Sequence, residues 1–512
     1  VGDSPTVAWE AAPDRFWAEV AKLTAPDGDG ADYFGNSVAL SGERALVGAY
    51  RDDDRGDTSG SVYVFERQEG GTWAKVAKLT ASDAEVGDHF GGSVALSGER
   101  ALIGAWGDAD QGLFSGSAYV FERQEDGTWA EVAKLTALDG TAGDYFGRFV
   151  ALSGARALVG ASGDDALMYN SGSAYVFERQ EDGTWAEVAK LTASDAGLHG
   201  DFFGSSVALS GARALVGADG DDAPMWDSGS AYVFERQEDG TWIEEDKLTA
   251  SDGRAGDHFG GSVALSGARA LVGAVNGAGV DGEVSGSAYV FERHEDGTWA
   301  EVAKLTASDG EFLDRFGFSV ALSGERALVG AFYGSGVQGE SGSAYVFERQ
   351  EDGTWIEEAE LTASDGRAGD HFGISVALSG AWALVGAWGD ADQGLFSGSA
   401  YFFKRQVCEV DLALEPPALR AGEELRVTVA VEHRRPVTVT VPFLMWVEDA
   451  EGRLVARRSS PPKTMEPGDR VEVTLAFTLP ADLPAGGYRV LMGVERMQQG
   501  VAWASRWFQV IE

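Results

Sequence analysis

The dipeptide Phe-Gly recurs seven times along this chain, at Phe34, Phe90, Phe146, Phe203, Phe259, Phe316 and Phe372, always 56 or 57 residues apart. A fixed period of that length marks a repeat architecture, in which each unit buries its apolar faces against its neighbours. One copy shows the content of all. Phe259-Gly260-Gly261-Ser262-Val263-Ala264-Leu265 is followed by Arg269-Ala270-Leu271-Val272-Gly273-Ala274, a variable loop, Gly286-Ser287-Ala288-Tyr289-Val290-Phe291 and Thr298-Trp299-Ala300-Glu301-Val302-Ala303-Lys304-Leu305. These are four short runs of β-formers separated by glycine-rich turns, with no helical periodicity. Four strands in each of seven units predict an all-β fold, a seven-bladed β-propeller with four-stranded blades. Small residues in the first two strands suit the crowded axis, and Tyr, Phe and Trp in the last two suit the wider gaps at the rim.

The ends of the repeat region predict how the ring closes. The chain enters at Phe16-Trp17-Ala18-Glu19-Val20-Ala21-Lys22-Leu23, a fourth strand with no blade before it, and the last repeat stops after Tyr401-Phe402-Phe403. The N-terminal strand is therefore expected to complete the last blade and remove an open sheet edge. This places the propeller at 16–406, behind an extension of residues 1–15. From Cys408 onward lie nine of the 13 prolines but only seven of the 70 glycines, and the net charge is -3 against -39 before it. Residues 407–512 alternate in the β manner, as in Leu425–Val431, Val437–Val441 and Val471–Phe477. About seven strands in such a length predict an Ig-like β-sandwich, an architecture that serves as a spacer or docking unit. Cys408 is the sole cysteine, so it has no Cys-Trp-Cys core.

Phe-Gly, then Val-Gly-Ala, then Gly-Ser-Ala-Tyr-Val-Phe, seven times over, resembles the FG-GAP repeat of integrin α-subunit propellers, and the likeness among copies is closer to bacterial FG-GAP proteins. The resemblance covers about residues 16–404. It implies the propeller fold and is compatible with adhesins, lectins and accessory domains of enzymes. Integrin-type blades often carry an Asp-rich calcium hairpin between strands one and two; here that connection is only Ser-Gly-Glu/Ala-Arg, as at Ser97-Gly98-Glu99-Arg100, so the family's calcium site does not carry over.

A formal charge of -42 excludes nucleic acid and anionic membrane surfaces as partners, since both need basic patches. No apolar run approaches the roughly 20 residues of a membrane span. The chain begins with Val1, which leads us to expect a processed product, secreted or at the cell surface. The strand two-to-three and four-to-one connections vary in length and content, so recognition is expected on the face that carries them. The two-to-three loops hold Trp106, Phe114, Tyr169, Trp226, Phe332, Tyr333, Trp388 and Phe396. Such aromatics suit a glycan or a protein ligand, or cover the blade ends. The same loops carry Asp52 with Asp54, Asp108 with Asp110 and Asp390 with Asp392, candidate ligands for Ca²⁺, which wants about six to eight oxygens; Asp and Gly are also ordinary turn formers. A repeated Asp before each Phe-Gly, as at Asp88, Asp257 and Asp370, is expected to satisfy turn amides. His89, His258 and His371 share one register and are not expected to be ligands. Arg55-Gly56-Asp57 is read as a compositional coincidence. No catalytic motif is present, so a binding protein is expected rather than an enzyme, with a spacer or self-associating assembly subunit as the alternative and an enzyme accessory as the remotest class.

Overall fold

A computed structural model describes residues 14–165, 169–196, 200–222, 225–279, 282–337 and 339–408, and beyond these the strands of the C-terminal region; side chains are described over 17–405. The expected N-terminal extension lies outside the described residues up to 13, and its last two residues belong to a strand that begins at Asp14. Contacts divide the chain into a unit over Glu19–Lys404 and one that contains Arg405–Glu512.

The first unit is the seven-bladed propeller. In the first blade Ser37–Ser41, Arg44–Ala49, Ser61–Arg67 and Trp73–Leu79 pair in sequence order, all antiparallel. The register places Val38, Val47, Tyr63 and Lys78 in one row across the blade. The second blade repeats this row as Val94, Ile103, Tyr119 and Lys134. The seventh blade is assembled from both ends of the repeat region: Ser375–Ser379, Trp382–Ala387 and Ser399–Cys408 are completed by Asp14–Leu23. The ring closes as the sequence predicts.

The core lies between blades. Val62, Val64 and Leu79 of the first blade pack on Phe90, Ile103, Tyr119 and Phe121 of the second. At the closing interface Leu23, Leu384 and Phe402 meet Phe34, Val47, Tyr63 and Phe65. Each Phe-Gly phenylalanine is buried and set edge-on or tilted to the tyrosine of its own blade, from 5.4 Å at Phe34–Tyr63 to 5.6 Å at Phe316–Tyr345. The two glycines of the motif meet across the interface. A Cβ on Gly104 would lie 1.7 Å from the Gly147 carbonyl oxygen of the next blade, and one on Gly386 would lie 1.9 Å from that of Gly35 at the closure. Only hydrogen at those positions lets the backbones approach.

Seven hydrogen bonds then circle the ring. The turn glycine of each blade donates its N–H to the serine hydroxyl ending the first strand of the blade before, from Gly98 to Ser41 at 3.2 Å round to Gly42 to Ser379 at 3.3 Å. The outermost strands are bulged. In the first blade Ala77 faces Val64 and Lys75 faces Phe65, which leaves Val76 without a partner. A bulge on an edge strand discourages pairing with another molecule.

In the C-terminal unit Val410–Glu415, Glu424–Glu432 and Arg470–Thr478 form an antiparallel sheet in that order. A five-stranded sheet runs Ala418–Arg420, Val501–Ile511, Gly486–Glu495, Phe443–Asp449, Leu454–Ser459, parallel only at its first pair. Val439–Val441 pairs with Lys463–Met465. Among the described residues no helix is long and apolar enough to cross a membrane.

Candidate functional site: the variable loop face

Among the described residues, the linker that enters six of the seven blades ends in a turn held by its own aspartate. Asp32, Asp88, Asp144, Asp257, Asp314 and Asp370 each accept the backbone N–H three residues earlier, at 2.6–2.8 Å. Burial pushes the carboxyls of Asp32 and Asp88 up to about 6. The residue after this aspartate adopts left-handed φ in every blade: Tyr33, His89, Tyr145, Phe202, His258, Arg315 and His371, at 53–63°. Bulky side chains rarely tolerate this conformation. Here it sets them beside the residue that follows the second strand: Tyr50, Trp106, Ser162, Asp219, Val275, Phe332 and Trp388.

Where both sets are aromatic, the rings join into a crescent. Phe318 contacts Phe332 at 4.5 Å, Phe332 contacts Tyr333 at 4.3 Å, and Tyr333 meets His371 at 5.3 Å. His371 stacks on Trp388 at 4.6 Å, and Trp388 meets Tyr33 at 4.7 Å across the closing seam. Tyr33 leads to Tyr50 at 5.6 Å, then to His89 at 5.6 Å, and His89 stacks on Trp106 at 4.1 Å. Trp106 reaches Tyr145 at 6.1 Å. Phe396 and Phe114 flank the two tryptophans from identical loops, at 5.6 and 6.1 Å. The crescent spans blades six, seven, one, two and three. Opposite it, Ser162, Asp219 and Val275 interrupt the pattern.

Of the aromatic residues expected at a binding site, Trp106, Phe114, Phe332, Tyr333, Trp388 and Phe396 are brought together. Tyr169 and Trp226 stand apart, 71% and 76% exposed. The sequence reading missed Tyr33, Tyr50, Tyr145 and Phe318, and set aside His89 and His371. For Tyr33, His89, Tyr145 and His371 the signal was the shared position directly before Phe-Gly, and for Tyr50 it was the register of Trp106 and Trp388 after the second strand. Burial holds both histidines below the usual imidazole range, so they are neutral rings near pH 7. Arg51 lies over Tyr33, 4.7 Å from its centroid.

The acidic loops converge as well. Asp108 and Asp110 meet Asp83 from the preceding linker, and Asp390 and Asp392 meet Asp365. A lysine ammonium sits in each group. Lys134 Nζ lies 2.7, 2.8 and 2.6 Å from Asp83, Asp108 and Asp110. Lys22, on the closing strand, lies 2.7, 2.8 and 2.5 Å from Asp365, Asp390 and Asp392. Lys78 lies 2.7 and 2.5 Å from Asp52 and Asp54, and 3.2 Å from Asp27. The blade tyrosine donates to the same aspartates, Tyr119 to Asp83 at 2.8 Å and to Asp108 at 2.9 Å. Burial alone would lower the lysine pKa values; the carboxylates outweigh it and raise all three.

Two of these acidic groups could hold a metal ion, and in this structure a lysine ammonium stands among the carboxylates of each. The strand one-to-two turn, Gly42-Glu43 in the first blade, is two residues long and offers no alternative ligand loop. Gly56 of the Arg-Gly-Asp tripeptide has φ 146, the value of Gly394 in the matching loop, so the tripeptide follows the ordinary loop backbone.

The FG-GAP repeat pattern matches residues 17–65, 73–121, 129–177, 185–234, 242–291, 299–347 and 355–403, more than half of the chain. The chain belongs to the FG-GAP repeat family. Each FG-GAP repeat begins in the outer strand of one blade and ends in the third strand of the next, which is why the first copy supplies the strand that closes the ring. No curated protein matches. Among solved structures, the Pseudomonas fluorescens alkylpurine DNA glycosylase AlkC bound to DNA containing an abasic site analog is similar at 15% identity and TM-score 0.17, over 20% of this chain and 30% of that one. The Bacillus subtilis sporulation control protein Spo0M is similar at 21% identity and TM-score 0.14, over 20% of this chain and 48% of that one. Likeness at these scores carries no argument about this FG-GAP propeller.

Proposed function

We propose that this chain is a non-catalytic binding or adhesion protein, secreted or at the cell surface, whose variable loop face recognises a glycan or a protein. The observation that carries the reading is the aromatic crescent: half-buried rings from five blades, joined by stacked and tilted contacts, on one side of the ring. Half-exposed aromatic rings bury large area at little entropic cost and stack on the C–H faces of sugars. The crescent histidines are uncharged near neutral pH, and the residues before Cys408 carry a net charge of -39, which repels anionic ligands. An uncharged glycan is the ligand class that fits this surface best. The C-terminal strands, read as an Ig-like sandwich, then serve as a spacer or docking unit.

A glycan array probed with the intact chain and with a Trp106→Ala/Trp388→Ala double variant tests the reading. Loss of about thirty-fold in affinity is expected, the scale of a binding hot spot. Equal binding by both proteins across every surface tested would remove the crescent from recognition. Trp226→Ala, off the crescent, is the matched control.

A further inference from the structure

We propose that lysine ammonium groups are the resident cations of the variable face, filling the place that a divalent ion would take among its acidic loops, so that the face assembles without metal. The geometry is repeated and graded. In blades seven, one and two a lysine from the outer strand stands among three aspartates, one from the entering linker and two from the strand two-to-three loop. An ammonium carries three N–H donors, so three carboxylates use all of them. In blades three and four Lys190 and Lys247 hold two aspartates each, Asp139 with Asp164 and Asp195 with Asp221.

Charge accounting explains why a single positive charge suffices. Within the second-blade group only the Asp108 side chain is buried, at 5% exposure, while those of Asp83 and Asp110 are 47% and 61% exposed. Lys134 therefore neutralises the one carboxylate that burial makes costly, and water attends the other two. The ring face of Tyr119 lies 5.2 Å from the same ammonium and completes its shell.

Variation among the blades points the same way. Blades five and six replace the buried aspartate by Gly277 and Gly334. Blade six also replaces the lysine, by Glu360, whose carboxylate accepts from Ser343 at 2.7 Å. Blade five keeps Lys304 with the single aspartate Asp252. A loop built for a divalent ion would keep its acids and exclude an internal cation. Here the acids stand beside an ammonium in every blade that has the buried aspartate.

The test uses the intact chain and calcium alone as the probe. Calorimetric titration of the unaltered protein is expected to show no calcium uptake, with the same Tm in calcium and in EDTA. Lys134→Met is expected to lower Tm in EDTA, to recover part of the loss in calcium, and to take up one Ca²⁺ per chain. Lys304→Met, which leaves a single carboxylate, is expected to show no calcium response. Should Lys134→Met fail to fold, Lys190→Met gives the same comparison in a two-aspartate group. Stoichiometric calcium uptake by the unaltered chain, a Tm loss in EDTA, or a folded Lys134→Met or Lys190→Met variant that calcium does not restore would each overturn the proposal.

Discussion

Gly104 and Gly147 show at the smallest scale why the motif has the letters it has. The Gly of Val-Gly-Ala and the Gly of Phe-Gly sit against one another across each blade interface, where a methyl group has no space. Gly104→Ala is expected to destabilise the propeller by at least about 2 kcal/mol, as overpacking does, measured by urea unfolding. The Gly98→Ala change tests the specificity of that argument: nothing lies within 4 Å of its added Cβ, and only its φ of 60° penalises the side chain, by about 1 kcal/mol. Side chains also change in step. Glu131 accepts from the Ser82 N–H at 2.9 Å and hydroxyl at 2.8 Å, and Glu19 does the same for Ser364. In the first blade the linker has Pro26, which lacks an N–H, and the glutamate becomes Lys75, which reaches Asp27 at 3.4 Å. Such pairings were invisible in a single repeat and became legible only once the fold placed residues about fifty positions apart side by side.

At the scale of strands and blades, the seam between blades seven and one differs from the other six interfaces. Elsewhere arginines of neighbouring blades share a glutamate, as Arg44 and Arg123 share Glu66 at 3.0 and 2.8 Å. At the seam Trp382 stands where the other blades have arginine and Lys404 where they have glutamate. Trp73 stacks on Phe402 at 3.8 Å, and Arg67 and Lys404 lie 5.1 and 5.2 Å from the Trp382 ring. An aromatic seam cannot exchange partners with an ionic one, which helps near-identical blades close in one order. Trp73→Ala is therefore expected to cost about 2–3 kcal/mol, more than Trp129→Ala at the matching position of blade two, by the same unfolding assay. Removing residues 1–23 would leave Ser399–Cys408 as an unpaired edge. Light scattering of that truncation is expected to show oligomers, since open edges recruit further strands.

For the molecule as a whole, the aspartates before each Phe-Gly set the response to acid. Burial raises Asp32 and Asp88 to about 6, and moves Asp144, Asp257, Asp314 and Asp370 in the same direction. A carboxyl raised in the folded state binds its proton more tightly there, so stability grows as pH falls from about 6 toward about 4. Burial depresses His89 and His371, and the unfolded chain takes up those protons first, which opposes the gain over the same interval. The six aspartates outnumber the two histidines, and burial raises Glu19, Glu187 and Glu360 in the same sense. Lower still, Asp83 and Asp365 lose their lysine partners: burial raises them, the lysine and tyrosine hydrogen bonds outweigh it, and the net shift is below the usual 3.8. Their contribution disappears as pH falls through those depressed values. Tm is expected to rise between about pH 6 and pH 4 and to drop below about pH 4, followed by circular dichroism. A flat profile would assign these aspartates ordinary acidity. The blade count, the strand order and the closing strand were legible in the sequence, because a 56–57-residue period and a fourth strand without a blade admit one arrangement. What only the tertiary structure decided is which loops meet. Tyr33 and Trp388 lie 355 positions apart in the chain and 4.7 Å apart in space, and Lys22 finds Asp390 across the same closure. Local patterning dictates strands, because it acts through neighbours in sequence. The aromatic crescent and the lysine-filled acidic groups depend on neighbours in the ring, and they exist only after it has closed.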